Sequence, residues 1–453
     1  MVSLVDYEDS DSESEEDSRT APREAVPHLD LFKDQHTEDH LFILNSSSSV
    51  NSSSSVNSSS SLNSSSSQSC VSATQSSRSD LLGMKRVQLN SAAVRPYVSK
   101  RQRVSPAAPV QTEEPPNVGS PLLFGISETI RPFLGRKHAG LELPRRVHYR
   151  VQAHQGPVNT LQWCPVDHRS HLLLSASMDK TYKLWDGVDS GTCLQTYSQQ
   201  RGAIRDACWL PCGRRILSGS FDGTVVLTDV ETGKIVVKVE NEFKVGCVAP
   251  RPCDPDVFLC GGFSSEVKAW DVRSSKMLRV YKAGIQQTLD ILFLGDGKEF
   301  VTSTDAVSRD SAELTLVAWD FDTTAKLSNQ IFHERYTCPC LTSHPLEKSF
   351  VAQTNGSYIA LFSAQRPYRT NKRRRYEGHK VEGFAVHCGF SADGSVLVSG
   401  SSTGSVHFYD FQSSRTLKTL QAHEHACVCA ALHPVLPGAM ATCDWEGEIK
   451  IWK

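Results

Sequence analysis

Residues 154–186 read HQGPVNTLQWCPVDHRSHLLLSASMDKTYKLWD and end in Leu184-Trp185-Asp186. Short apolar runs broken by turn residues are strand signals. The ending recurs as Leu227-Thr228-Asp229, Ala269-Trp270-Asp271, Ala318-Trp319-Asp320, Leu361-Phe362-Ser363, Phe408-Tyr409-Asp410 and Ile451-Trp452-Lys453. The final positions lie 43, 42, 49, 43, 47 and 43 residues apart. Pairs such as Asp222-Gly223, Asn355-Gly356, Asp393-Gly394 and Glu446-Gly447 fall between the strands. Such pairs favour tight hairpins, because Gly accepts the backbone that the turn demands.

A period of about 40–45 residues with Trp-Asp endings is the WD-repeat signature. Seven endings predict seven blades, each a four-stranded antiparallel sheet, around a central channel. The expected fold class is all-β: a seven-bladed WD-repeat β-propeller over residues 147–453, preceded by a long disordered N-terminal arm. The chain stops at the third strand of blade seven. Residues 147–151 alternate in polarity and are predicted to supply the missing outer strand, which hides two sheet edges. The spacing of 49 is assigned to a longer turn between Thr304 and Leu314 of blade four.

The hydrophobic fraction is 39%, below the roughly 45–50% of a packed chain. Part of the chain is therefore expected to stay unpacked. Residues 1–119 are read as that arm. Its first 17 residues carry Asp6, Glu8, Asp9, Asp11, Glu13, Glu15, Glu16 and Asp17 without a Lys or Arg. Ser10, Ser12 and Ser14 each have an acid three residues on, the pattern acid-directed kinases accept, and phosphate there would keep the segment extended. The plainer reading is a solubilising tail. Asn45, Asn51, Asn57 and Asn63 each precede four Ser, a tract too polar to form a core. Farther on, Lys100, Arg101 and Arg103 suit a nuclear-import signal or a phosphate contact; the alternative is a solvated stretch balancing the acidic start. Residues 120–146 are read as a linker with a short docking helix over 127–134. Ser127 is its N-cap, Gly135 its stop, and Ile126, Ile130, Phe133 and Leu134 its apolar edge.

His154, Ser175, Asp179 and Trp185 share blade one. Ser, His and Asp suggest a hydrolase triad, but no nucleophile elbow or oxyanion loop accompanies them. The structural reading is an internal hydrogen-bond network under the Trp ring. Blade two retains Ser218 and Asp222, with Thr228 for Trp. Blade six retains His379 and Ser399, with Thr403 for Asp and Tyr409 for Trp. Blade seven retains His423, Thr442 and Trp452, with Glu446 for Asp. No nucleotide loop, paired carboxylates or metal cluster is read from the sequence, so neither cofactor nor metal is expected, and no enzyme. The 14 Cys lack zinc spacing and are expected to be reduced. No apolar run is long enough for a membrane span and no signal peptide opens the chain, so no membrane is expected; without a nucleotide, carboxylate or metal site, no small-molecule substrate is expected either. With 48 Lys plus Arg against 50 Asp plus Glu, the net charge of -2 excludes a strongly basic nucleic-acid binder on bulk composition, leaving local patches.

One such patch is Arg366, Arg369, Lys372, Arg373, Arg374, Arg375 and Lys380, placed near the outer strand of blade five. Charged outer strands can simply protect an edge. Four consecutive cations at 372–375 exceed that need and suggest contact with RNA phosphates or an acidic partner.

The stretches His154 to Pro165, Phe258 to Glu266, Ile331 to Arg335 and Arg373 to Lys380 resemble the family of WD repeat-containing protein 25. The likeness covers about residues 120–453 and the acidic start, not the serine tract. That family in turn resembles a spliceosomal second-step factor, pre-mRNA-processing factor seventeen, also an arm followed by a seven-bladed propeller. The resemblance implies a non-enzymatic scaffold binding proteins of a multi-subunit nuclear complex, with RNA reached through the basic segments. The alternatives are a ubiquitin-ligase substrate receptor and a cytoplasmic location, because a propeller does not fix function.

Overall fold

A computed structural model describes residues 122–123, 125–135, 142–282, 287–305, 315–334 and 336–453. Seven four-stranded antiparallel sheets form the propeller. Blade one runs Val158–Trp163, Leu172–Ser177, Tyr182–Asp186 and Cys193–Tyr197 from the channel outward. The same order repeats through blades two to six. Blade seven has the order Cys427–Leu432, Met440–Asp444, Glu448–Trp452 and then Val147–Gln152. The first strand of the domain thus completes the last blade, with Val151 opposite Ile449. Arg145 and Arg146 donate their N–H groups to the Lys453 carbonyl and fasten the two ends of the propeller together.

The core lies between blades. Seven apolar clusters occupy the seven interfaces, one per neighbouring pair. Strand alternation explains this, since successive side chains point to opposite faces. In Leu172–Ser177, Leu173 packs toward blade seven while Leu172 and Leu174 pack toward blade two. In Leu316–Asp320, Val317 and Trp319 face blade three, whereas Leu316 and Ala318 face blade five. Both faces of a middle strand are buried, so such strands read as nearly continuous apolar runs.

The recurrent Trp-Asp ending has a direct cause. The indole N–H of Trp185, Trp319 and Trp452 donates to Ser175, Thr302 and Thr442 on the neighbouring strand at 2.9, 3.0 and 2.9 Å. The following Asp accepts backbone N–H groups of the next turn: Asp186 from Asp189 and Ser190, Asp229 from Thr232, Asp320 from Thr323, Asp410 from Ser413. Asp caps the turn because its carboxylate substitutes for the missing backbone partner. Where blade five has Ser363, its hydroxyl accepts from the Gln365 N–H instead.

Gly447 shows why the turns need glycine. Its φ is 91°, and an added Cβ would stand 2.3 Å from the His154 carbonyl oxygen. Asn355-Gly356 departs from the pattern: the positive φ falls on Ser357.

Ahead of the ring, the expected helix over 127–134 is a single 3-10 turn, Arg131–Phe133. Pro132 lies inside it and lacks an N–H for a longer helix. Ser127 Oγ accepts the Ile130 N–H at 3.3 Å. Ile130 is fully buried among residues of blades seven and one, with Phe133 and Leu134 packed alongside, whereas Ile126 is exposed. Thr129 Oγ1 adds a 2.6 Å hydrogen bond to Asp189. The acidic start, the Asn-Ser tract, Ser10, Ser12, Ser14, Lys100, Arg101 and Arg103 lie outside the described residues, as does most of the long turn of blade four. Among the described residues no helix is long and apolar enough to cross a membrane.

Candidate functional site

The blade-one residues meet as one network. Trp185 Nε1 donates to Ser175 Oγ at 2.9 Å, Ser175 Oγ lies 2.7 Å from His154 Nε2, and His154 Nδ1 lies 2.8 Å from Asp179 Oδ2. Asp179 also accepts the Gln155 N–H and the Thr181 hydroxyl. Burial opposes ionisation of Asp179, yet hydrogen bonds from His154 and Thr181 hold its carboxyl well below the ordinary range. Burial pushes the His154 imidazole down, so it stays neutral. Ser175 is fully buried and His154 nearly so. Substrate cannot reach this serine; the network ties the blade's entry loop to its turn instead.

Other blades perform the same task with different residues. In blade two Gln200 stands where His would, accepting from Ser218 Oγ at 2.7 Å and donating to the Thr224 carbonyl at 3.0 Å. Thr228 pairs with the Tyr182 hydroxyl of blade one at 2.6 Å. In blade six His379 does not bond Ser399. Its Nδ1 lies 2.9 Å from the Tyr409 hydroxyl and its Nε2 2.5 Å from Gln353 of blade five, which also accepts from Ser399. In blade seven the acid is not Glu446. His423 Nδ1 lies 2.9 Å from Glu448 and 3.4 Å from Asp444, and its Nε2 2.8 Å from Thr442. Counting from the strand Ser or the Trp pointed to Glu446, but the side chain two residues later, at the same 25-residue distance from its histidine as Asp179, faces it. His423, Asp444 and Glu448 also form a triplet of metal-ligating type, all ligand atoms within 4.8 Å. Lys450 Nζ already occupies that carboxylate at 3.0 Å, so the group reads as a clamp.

The basic run lies on Thr370–Glu377, the outermost strand of blade five. Its pairing is interrupted. Ala360 faces Arg375 and Phe362 faces Thr370, so residues 371–374 bulge outward opposite Leu361 alone. Bulges twist and blunt exposed edges. The cations then separate into two groups. Arg375 pairs with Glu334 and stacks 4.6 Å above Tyr358. Arg374 donates to Gln412 at 3.0 Å and lies 5.8 Å from the Phe411 ring. Arg366 pairs with Glu299 at 2.6 Å and Lys380 with Glu382 at 3.5 Å. Arg366, Arg374 and Arg375 fasten the blade to its surroundings, whereas the Lys380 pair is local to one exposed loop. Among the described residues no carboxylate pairs with Arg369, Lys372 or Arg373, all beside a cleft of about 620 Å³ that Lys348 also lines. The sequence placed the run on the right strand but did not show which cations were already engaged, because their partners come from distant loops.

The described family model "WD domain, G-beta repeat" matches residues 145–186, 191–229 and 370–410. Mouse WD repeat-containing protein 25 is 54% identical over 371 residues, 79% of this chain and 69% of that protein. Human pre-mRNA-processing factor 17 is 28% identical over 312 residues, covering 68% of this chain and 52% of that protein. Its Saccharomyces cerevisiae counterpart is 26% identical over 282 residues, covering 62% and 60%. The chain thus spans about half the length of the human processing factor. With the Trp-Asp endings, the seven blades and the extended identity together, the chain belongs to the WD-repeat family of WD repeat-containing protein 25.

Proposed function

We propose that this protein is a non-enzymatic scaffold in a nuclear, splicing-related ribonucleoprotein complex, and that the basic edge of blade five contacts RNA phosphate there. The bulge carries the reading. It presents Lys372 and Arg373 to solvent without a carboxylate partner, next to Arg369 and Lys348. Unpaired cations release counterions on meeting a polyanion, which makes such binding salt-dependent. The relatedness to pre-mRNA-processing factor 17 supports the choice of complex. Lys100, Arg101 and Arg103 would provide a second basic contact or an import signal, and phosphate on Ser10, Ser12 and Ser14 would regulate the arm.

The test is affinity purification of the full chain from nuclear extract, with and without ribonuclease, followed by mass spectrometry. Pre-mRNA-processing proteins are expected, with part of the set lost on ribonuclease treatment. Ligase subunits without processing proteins would overturn the proposal. Lys372→Ala with Arg373→Ala should weaken RNA retention and lower the salt slope by about two units.

A further inference from the structure

The innermost strands of blades five and six bring two thiols and an imidazole to the channel wall. Cys340 opens the strand Cys340–Ser343 and Cys388 opens Cys388–Phe390. Both line a channel section of about 420 Å³ with His387 and Asp290. Thr342 Oγ1 stands 3.7 Å from Cys340 Sγ and 3.9 Å from Cys388 Sγ. The Cys340 thiol and the Thr342 hydroxyl both donate to the Cys388 carbonyl, at 4.0 and 2.9 Å. His387 Nε2 is buried without a hydrogen-bond partner.

These neighbours set Cys340 apart. The Cys388 side chain, outweighing burial, and His387 hold its thiol well below the ordinary range. Burial pushes Cys208, Cys247, Cys427, Cys429 and Cys443 up. A thiol beside an imidazole is the more nucleophilic for its larger thiolate fraction. All thirteen described cysteines are free.

We propose that Cys340 is an oxidation site: a channel-lining nucleophile that hydrogen peroxide converts to a sulfenic acid, which Cys388 resolves into a disulfide joining blades five and six. The Cys340 thiol gives its proton to His387, and its sulfur attacks one peroxide oxygen. An S–O bond forms and the O–O bond breaks. The departing oxygen takes a proton from His387 and leaves as water. The Cys388 sulfur then attacks Cys340 Sγ. The S–S bond forms, the S–O bond breaks, and the released hydroxide takes the Cys388 proton. Two thiols and one peroxide yield one disulfide and two waters. Peroxide is barely larger than water and fits the channel.

The test uses the reduced full chain with Cys70 and the exposed Cys193, Cys212 and Cys253 changed to Ser. Equimolar hydrogen peroxide is added and the thiols are mapped by mass spectrometry. A peptide linked through Cys340 and Cys388, lighter by two hydrogens, is expected. In Cys388→Ser, Cys340 should instead be trapped by dimedone. In His387→Gln its oxidation should slow roughly ten-fold. Circular dichroism checks that each variant folds. Cys340 remaining reduced in folded protein, or Cys429 and Cys247 oxidising as fast, would overturn the assignment.

Discussion

Replacing Glu448 with alanine tests how the ring is held closed. Its carboxylate is met by three groups: Arg150 on the closing strand, Lys450 at 3.0 Å and His423 at 2.9 Å. Their side-chain exposures differ: 65% for Arg150, 12% for Lys450 and zero for His423. Removing one partner from a buried ionic cluster costs about 3–5 kcal/mol, because the remaining groups stay buried unpaired. Two features reduce that cost. Asp444 lies 3.4 Å from His423, and Lys450 also donates to the Ala422 carbonyl at 2.7 Å. About 3 kcal/mol is therefore expected for Glu448→Ala. Arg150→Ala should cost under about 1 kcal/mol, since a mostly exposed cation gains little from its pair. Urea unfolding followed by Trp fluorescence reads both differences. Equal losses in the two variants would refute the buried-clamp reasoning, as would a loss below about 1 kcal/mol for Glu448→Ala.

The sign of the pH dependence follows from the same group. Burial opposes ionisation of Glu448, but Lys450, Arg150 and His423 hold its carboxyl below the ordinary 4.5. A carboxyl depressed in the folded state stabilises at pH above its unfolded value. The clamp should be complete above about pH 4.5 and weaken as the pH falls through the depressed value.

Burial, aided by nearby His407, pushes His379 down to about 4 from 6.5. Its stabilising effect as a neutral group is full above pH 6.5 and falls by about 3 kcal/mol toward pH 4, so His379→Gln should flatten the urea-stability profile over that window; an unchanged slope would contradict it. Gly447→Ala forces a Cβ to 2.3 Å from the His154 carbonyl at a φ of 91°. It should cost more than about 3 kcal/mol in the same assay, and a near-neutral result would mean the turn reshapes freely. Arg375→Ala loses the Tyr358 contact and the Glu334 pair and should reduce stability by about 1–2 kcal/mol, while Lys372→Ala should change RNA retention without changing stability.

The ring was legible because it repeats. Trp-Asp at regular spacing combines two local needs, an indole bond to the neighbouring strand and a carboxylate to cap the turn, and both leave residue types in fixed order. Closure was legible too, since residues 147–151 alternate as a strand does and precede the first complete blade. The 3-10 turn was less so, because Ser127 and Gly135 bracket a helix-length segment and only Pro132 warns against a helix. Glu448 was missed for a different reason. Position within a turn identifies a candidate acid only if the turn follows blade one's path, and Asp444 in blade seven reshapes it by accepting the N–H groups of both Glu446 and Glu448.

The varied networks show what the blades must retain. Blade one joins its entry loop to its turn with His154 and Asp179, blade two with Gln200 and Thr224, blade seven with His423 and Glu448. Each solution satisfies buried polar groups, and an incompletely satisfied network would be worse than none. Residue identity is therefore free to drift while the connection persists. The same freedom does not extend to the basic edge. Arg374 and Arg375 are held by neighbours on blade six and by the loop before blade five, so a change there is felt as lost packing. Lys372 and Arg373 touch no such partner among the described residues. A cation without a folded-state partner contributes little to stability, so an effect of replacing it must be sought in what the surface binds. That separation makes the basic edge a direct test of the proposed function, distinct from the polar networks of blades one, two and seven that join loop to turn.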